Sequence, residues 1–324
     1  MPDSFNIPKD QTGTVRVFAP ASVANVGCGF DVFGFAISGP GDIIEASLSD
    51  QTGVRILSIE GDEGKLPSEA EENTAGRAVL SMLKSLDAGR SFGVELKIIK
   101  KMPLGSGLGS SAASSAGAAF ALNGLLGEPF DRKGLLPFAI SGEQAASGTP
   151  HADNVAASLL GGFVLVRRHS PPDVISLKTP PGLHTVVIHP HIHIKTKDTR
   201  KILRKDVTLA KAIHQWGNVG AMVAGLQNGD FDLIGRAMED EIVEPIRSVL
   251  IPGYEQMKEA ALKAGALGFS ISGAGPSVFA LCVDKKIAEK AGKAVQDVLN
   301  QIDLASSVYV SSVNHKGCEF IHEG

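Results

Sequence analysis

Apolar and polar positions along this chain switch between two periods. TVRVFAPASVA (14–24), VFGFAI (32–37), DIIEASLSD (42–50) and VRILSIEG (54–61) read as strands, separated by the loop NVGCGFD and the turn SGPG. AEENTAGRAVLSMLKSL (70–86) has helical spacing, with Ala75, Val79, Met82, Leu83 and Leu86 on one side. VELKIIK (94–100) alternates as a strand, and a glycine- and serine-rich stretch then leads into a helix of small residues ending near Gly127 and Pro129. Asp131 can cap a further helix. Thr149 and Pro150 give a start signal for HADNVAASLL, as N-cap and first helical position, and Gly161 and Gly162 stop it.

GGFVLVRR is a strand, and HSPPDV (169–174) is the best linker candidate. TVVIHPHIHI (185–194) reads as one strand. Helical patterns follow over 209–227 and over FDLIGRAMEDEIVEPIR (231–247). A helix in YEQMKEAALKAG, strands in LGFSIS and SVFALCV, a helix over 285–299 and a strand in SVYVSSV complete the series. Strand-rich beginnings and helix–strand alternation without βαβ regularity predict an α+β fold.

Composition narrows the class. The 324 residues, 43% hydrophobic and 20% charged, suffice for two ordinary domains or one large one. A net charge of -4 and 5% aromatic residues argue against a nucleic-acid binder. Cys28, Cys282 and Cys318 are widely spaced and odd in number, which fits a reducing compartment better than a disulfide framework. The polar start MPDSFNIPKDQTG lacks the apolar core of a secretory signal, and no run of about 18 apolar residues predicts a membrane span. A cytoplasmic protein without membrane partners is expected.

MPLGSGLGSSAAS (102–114) carries three glycines and four serines between a strand and a helix. Gly105, Gly107 and Gly109 let a ligand approach bare backbone, and the helix start offers unpaired N–H groups and a positive dipole end. No acid occurs from Lys100 through Gly127. This is the pattern of an anion cradle for phosphates, and the Ser110 and Ser111 hydroxyls could reach phosphate or bound Mg²⁺. A Walker loop is absent. Gly107-x-Gly109-x-x-Ala112 fits a dinucleotide fingerprint, but no second strand has room before Glu128. Gly89-x-Ser91-x-Gly93 precedes a strand, where a hydrolase elbow must follow one.

Asn25 and Asp31 in ANVGCGFD are a turn pair or polar groups converging on a small substrate. SISGAGPS (270–277) is a second glycine loop, either a hairpin or the other half of a clasp. Glu143 is a candidate Mg²⁺ carboxylate close to His151, Asp153 and Asn154. His189, His191 and His193 alternate on one predicted strand face without a carboxylate or cysteine nearby. Arg200 and Arg247 are surface residues or clamps for a substrate carboxylate.

APASVANVGCGFDVFG, PLGSGLGSSAAS and SISGAGPS occur in the order found in the small-molecule kinase superfamily of galactokinase, homoserine kinase, mevalonate kinase and phosphomevalonate kinase, which the chain resembles over nearly its whole length. The first motif, SGEQAASGTPHADNV and EPIRSVLIPG are similar to the homoserine kinase branch. The resemblance implies two domains. Residues 1–168 form an ATP-binding domain like the ribosomal-protein-S5 second-domain fold; residues 169–324 form a ferredoxin-like domain, and the active site lies between them.

The resemblance further implies transfer of phosphate from ATP to L-homoserine, a step towards threonine. Alternatives are a related kinase acting on another alcohol and a nucleotide-binding protein without catalysis. On this basis Pro103, Leu104, Gly105, Ser106, Gly107, Leu108, Gly109, Ser110, Ser111, Ala112 and Ala113 wrap the ATP phosphates, and Asn73 helps hold the adenosine side. Ser111 and Glu143 coordinate Mg²⁺. Asn25, Asp31, His151, Asn154, Arg200, Arg247 and the Gly273 backbone line the homoserine pocket. Asn154 stands where mevalonate kinase and galactokinase use an aspartate base, and Lys195 where homoserine kinases often have serine. The family often forms homodimers, a state this sequence leaves open.

Overall fold

The small residues of 110–125 set the layout of the first half of the molecule. A computed structural model describes residues 13–86, 92–147, 151–194 and 196–321. The expected Thr149–Pro150 helix start, Lys195 and Gly89–Ser91 of the rejected elbow lie outside these residues.

In chain order the elements are β1 (Val15–Ala24), β2 (Phe33–Ser49), β3 (Gly53–Glu60), α1 (Thr74–Ser85), β4 (Gly93–Ile99), α2 (Ser110–Leu125), α3 (Leu136–Ser147), α4 (Ala152–Leu160), β5 (Phe163–Arg168) and β6 (Asp173–Leu177). There follow β7 (His184–Pro190), α5 (Thr196–Lys201), α6 (Leu209–Asn228), α7 (Phe231–Ala237), α8 (Glu244–Arg247), α9 (Tyr254–Lys263), β8 (Gly268–Ile271), β9 (Val278–Cys282), α10 (Lys285–Gln301), β10 (Ser306–Ser312) and β11 (Glu319–Phe320).

Two sheets result, and the fold is α+β. The first has the order β11-β1-β2-β4-β3, with β5 on β2 and β6 on β5; all its pairs are antiparallel except β3–β4. The second, β10-β7-β9-β8, is wholly antiparallel. α2 is buried on nearly every side, as its lack of a polar face requires. It lies so close to β1 and β2 that a Cβ on Gly117 would come 2.9 Å from Ile44 Cγ1 and 3.0 Å from Ala19 Cβ. α1, α3 and α4 surround it. In α1 the expected face is buried through Ala75, Val79, Met82 and Leu83. α10 packs on the second sheet through Gly292, beside Val186 and Val308.

Three expectations change. HSPPDV is the turn of the β5–β6 hairpin, in which Val166 faces Val174 and Arg168 faces Asp173. Pro171 and Pro172 cannot donate to a ladder, so they serve a tight turn as readily as a linker. Sheet membership therefore divides the strands after Leu177, and β11 returns to the first sheet. The long helix expected over 231–247 is two helices, α7 and α8. Between them Asp240 accepts main-chain N–H groups from Ile242, Val243 and Glu244 at 2.8, 3.0 and 2.9 Å, and diverts the backbone. The strand in TVVIHPHIHI stops at Pro190, which has no N–H to give, so the three histidines do not share one strand face.

Gly117→Val should overpack α2 against β1 and β2 and cost about 1–3 kcal/mol. Thermal unfolding checks this, and an unchanged Tm would contradict the close approach.

Candidate active site

The glycine loop between β4 and α2 is closed at its base by one carboxylate. Asp42, at the bend in β2, is fully buried. Its Oδ1 accepts from the main-chain N–H groups of Lys101 (2.9 Å) and Met102 (3.2 Å), and its Oδ2 from Ser110 Oγ (2.8 Å). Lys100 Nζ donates to Asp42, to Ser110 O (2.9 Å) and to Ser114 Oγ (2.7 Å). Both ends of the loop are thus tied to the same ion pair. Burial pulls the Lys100 pKa down, and Asp42 opposes that shift. The Ser110 hydroxyl, expected at phosphate or Mg²⁺, is committed to Asp42, which leaves its main chain for a ligand.

Gly105, Gly107 and Gly109 take φ of +67°, +84° and +71°, so the loop follows a left-handed path that other residues rarely adopt. The second glycine loop packs directly on the first. Ser272 Oγ donates to Gly107 O (2.7 Å), and Ser277 N–H donates to Ser106 O (3.2 Å). The Ser106 hydroxyl is buried and has no hydrogen-bond partner among the described residues. A bare main-chain cradle with an unpaired hydroxyl and a helix start behind it suits an anion.

A cavity of about 470 Å³ opens between the loops. Of the expected residues, Asn25, Asn73, Leu104, Gly105, Ser106, Gly107, Gly109, Ser110, Ser111, Glu143, His151, Asn154, Arg200, Arg247 and Gly273 line it. Pro103, Leu108, Ala112, Ala113 and Asp31 do not. Leu108, Ala112 and Ala113 are buried core residues that shape the loop and α2 from behind. Asp31 lies one contact away and pairs with Arg200 Nη2 at 2.8 and 3.0 Å. Asn73 reaches the wall, but its amide is engaged locally: Oδ1 caps α1 at Ala75 N–H, and Nδ2 donates to Pro67 O. At the other end Asn25 Nδ2 and Arg247 Nη1 both donate to Gly273 O (2.7 and 3.1 Å), and the Arg200 and Arg247 guanidinium groups lie over the Phe30 ring.

Comparison with known proteins places this arrangement. Residues 73–162 match the GHMP kinases N terminal domain, and residues 222–301 match GHMP kinases C terminal. Homoserine kinases of Chloroherpeton thalassium and Chlorobaculum tepidum are each 46% identical over 318 residues; the alignments cover 95% of this chain and 99% and 98% of theirs. The crystal structure of homoserine kinase from Cytophaga hutchinsonii superposes with a TM-score of 0.92 at 52% identity, covering 99% of both chains. The chain belongs to the homoserine kinase family.

In this member of the homoserine kinase family, burial dominates the electrostatics of the cavity. The Glu143 carboxyl is pushed up to about 8 by burial, against the hydrogen bond from Ser111 Oγ at 3.1 Å. Asp153 is raised to about 7 by burial and by the Asp31 charge. His151 is lowered to about 4 by burial and by the Arg200 charge, so it is neutral at pH 7. Arg247 is lowered to about 10, chiefly by burial, and stays cationic at neutral pH. No group of three or more His, Cys, Asp or Glu among the described residues is arranged to hold a metal.

Sequence reading gave no role to Asp42 or Ser22, and it did not assign Lys100, Ser114 or His193 to the cavity. Asp42 and Ser22 act on the loop from β2 and β1, far away in sequence, and no local signal marks them. His193, expected to share one strand face with His189 and His191, stands against Gly105, with Cε1 3.2 Å from where a Cβ there would lie.

Asp42→Asn should leave Lys100 a buried cation without its counter-charge, costing about 3–5 kcal/mol. Chemical denaturation checks this, and near-wild-type stability would remove the pair from its anchoring role. The lowered His151 pKa has a definite sign. The unfolded imidazole takes a proton near 6.5 and the folded one only near 4, so stability is full above 6.5 and is lost as pH falls towards 4. Between pH 7 and pH 5 the wild type should lose about 2 kcal/mol more than His151→Gln in paired denaturant titrations.

Proposed function

We propose that this chain transfers the terminal phosphoryl group of ATP to the side-chain hydroxyl of L-homoserine, giving ADP and O-phospho-L-homoserine on the way to threonine. One observation carries the reading: a phosphate-type cradle and a paired-arginine pocket are two ends of the same cavity. The cradle suits the nucleotide through the main chain of 103–113 and the Ser106 hydroxyl. Arg200 and Arg247 suit the amino acid's carboxylate, and Asp31, just behind the wall and paired with Arg200, suits its ammonium or hydroxyl group. Asn25, His151 and the Gly273 main chain complete the pocket.

Mg²⁺ fits this donor set. A buried carboxylate and a hydroxyl, Glu143 and Ser111, stand 3.1 Å apart beside the cradle, and a magnesium ion typically takes one or two carboxylates and completes its shell with phosphate oxygens and water. Bound there, it would supply charge neutralisation for the phosphates. The chain's own contribution is positioning. The homoserine oxygen forms a bond to the terminal phosphorus while the bond from that phosphorus to the bridging oxygen breaks, and the bridging electron pair leaves with ADP. Asn154 cannot take the hydroxyl proton, so the hydroxyl loses it late, to an oxygen of the transferred phosphoryl group rather than to a strong protein base. Phosphoryl transfer tolerates this because it rests mainly on alignment and charge.

A coupled ADP-release assay should give turnover with homoserine and not with mevalonate, galactose or shikimate; no homoserine-dependent ADP would sink the assignment. Arg247→Ala should raise KM for homoserine by about tenfold or more and leave KM for ATP nearly unchanged, since it removes a charge-assisted substrate contact. Glu143→Ala should lower kcat by about a hundredfold or more with a near-normal Tm. A variant with ordinary rates would take Glu143 out of the site.

A further inference from the structure

Ser22 has no part in the chemistry described so far, yet it touches both the glycine loop and Asn154 of the cavity wall. It is fully buried in β1. The β1–β2 register shifts between Pro20, opposite Gly41, and Ser22, opposite Ala36. Such irregularities re-aim side chains. From this position Ser22 makes two contacts with different elements. Its main-chain N–H donates to Leu108 O at 3.0 Å, inside the glycine loop. Its Oγ donates to Asn154 Oδ1 at 2.8 Å, at the start of α4. The three parts touch: a Cβ on Gly109 would come 2.2 Å from Ser22 Oγ and 2.8 Å from Asn154 Oδ1.

These contacts fix which end of the Asn154 amide is presented. An asparagine side chain offers an acceptor oxygen and a donor nitrogen. The oxygen is held by Ser22, and Asn154 lines the cavity beside Gly109, Ser110 and Ser111. The end left for a ligand is Nδ2, a donor.

Resting on the functional reading above, we infer that Ser22 is a positioning residue for phosphoryl transfer. Its hydroxyl locks the Asn154 amide so that Nδ2 donates to an oxygen at the reaction centre, either the acceptor hydroxyl or the transferred phosphoryl group. Its main chain keeps that amide in register with the glycine loop. Asn154 thus acts as an oriented donor whose direction is set from a strand of the neighbouring sheet.

The test is a double-mutant cycle. Ser22→Ala should lower kcat by about tenfold or more, with KM for ATP and for homoserine each within about twofold of wild type. Ser22→Thr, which returns the hydroxyl, should recover most of that loss. In an Asn154→Ala background, Ser22→Ala should change the residual rate by less than about twofold, because its effect passes through Asn154. Turnover of Ser22→Ala within twofold of wild type, or the same loss with and without Asn154, overturns the proposal.

A co-crystal of the unsubstituted protein with a non-hydrolysable ATP analogue and homoserine gives a readout independent of variant folding. Ser22 Oγ should remain on Oδ1, with Nδ2 within hydrogen-bond reach of the homoserine hydroxyl or a terminal phosphate oxygen. An amide turned away from both overturns the proposal. Failure of the unsubstituted protein to release ADP with homoserine overturns the functional reading beneath it, a result distinct from normal turnover that is indifferent to Ser22.

Discussion

A carboxylate with no exposure to water is costly unless every lone pair is answered, and at Asp42 four groups answer it: two main-chain amides, a serine hydroxyl and a lysine ammonium. The amides leave β4, and the hydroxyl opens α2. The carboxylate therefore closes a loop whose middle is free to follow the left-handed path its glycines allow. Without this clamp the cradle would be a flexible run of glycine and serine, and ordering it around a ligand would cost conformational entropy at each binding event. With it, the main-chain donors are in place beforehand. Catalysis that rests on alignment depends on such preorganisation.

Rigidity of the same kind extends across the cavity. The second glycine loop hydrogen-bonds to the first through Ser272 and Ser277, and Gly273 is held by Asn25, Arg247 and Ala24. A loop from the second sheet is thereby fixed to one from the first. The arginine end of the cavity inherits its position from this junction, since Arg247 reaches both Gly273 O and Phe30. The low polarity that raises Glu143 and lowers His151 also strengthens each charge-assisted contact a substrate would make there.

What could be read from the sequence was local. The apolar face of α1, the small-residue run of α2 and the glycine loop are contiguous patterns, and each appears where its spacing indicates. Asp42 and Ser22 were opaque because their meaning lies in contacts 58 to 132 residues away, and a lone aspartate or serine in a strand has the same local signature whatever it meets. Pro171 and Pro172 misled as a linker for another reason: a hairpin turn and a linker make the same demand on backbone chemistry. The helix expected over 231–247 failed because Asp240 offers the chain's own amides a competing partner, which apolar periodicity does not register.

The strand β11 carries one more implication. Phe320 lies opposite Val17 and Glu319 opposite Phe18, so one margin of the first sheet is finished by a strand about 300 residues away from its partner in the chain. Until β11 docks, part of β1 offers unpaired amides and carbonyls to any extended segment nearby, including a second copy of the chain. Pairing of residues 319–320 with β1 ends that exposure, which makes this short strand a guard against mispairing out of proportion to its two residues.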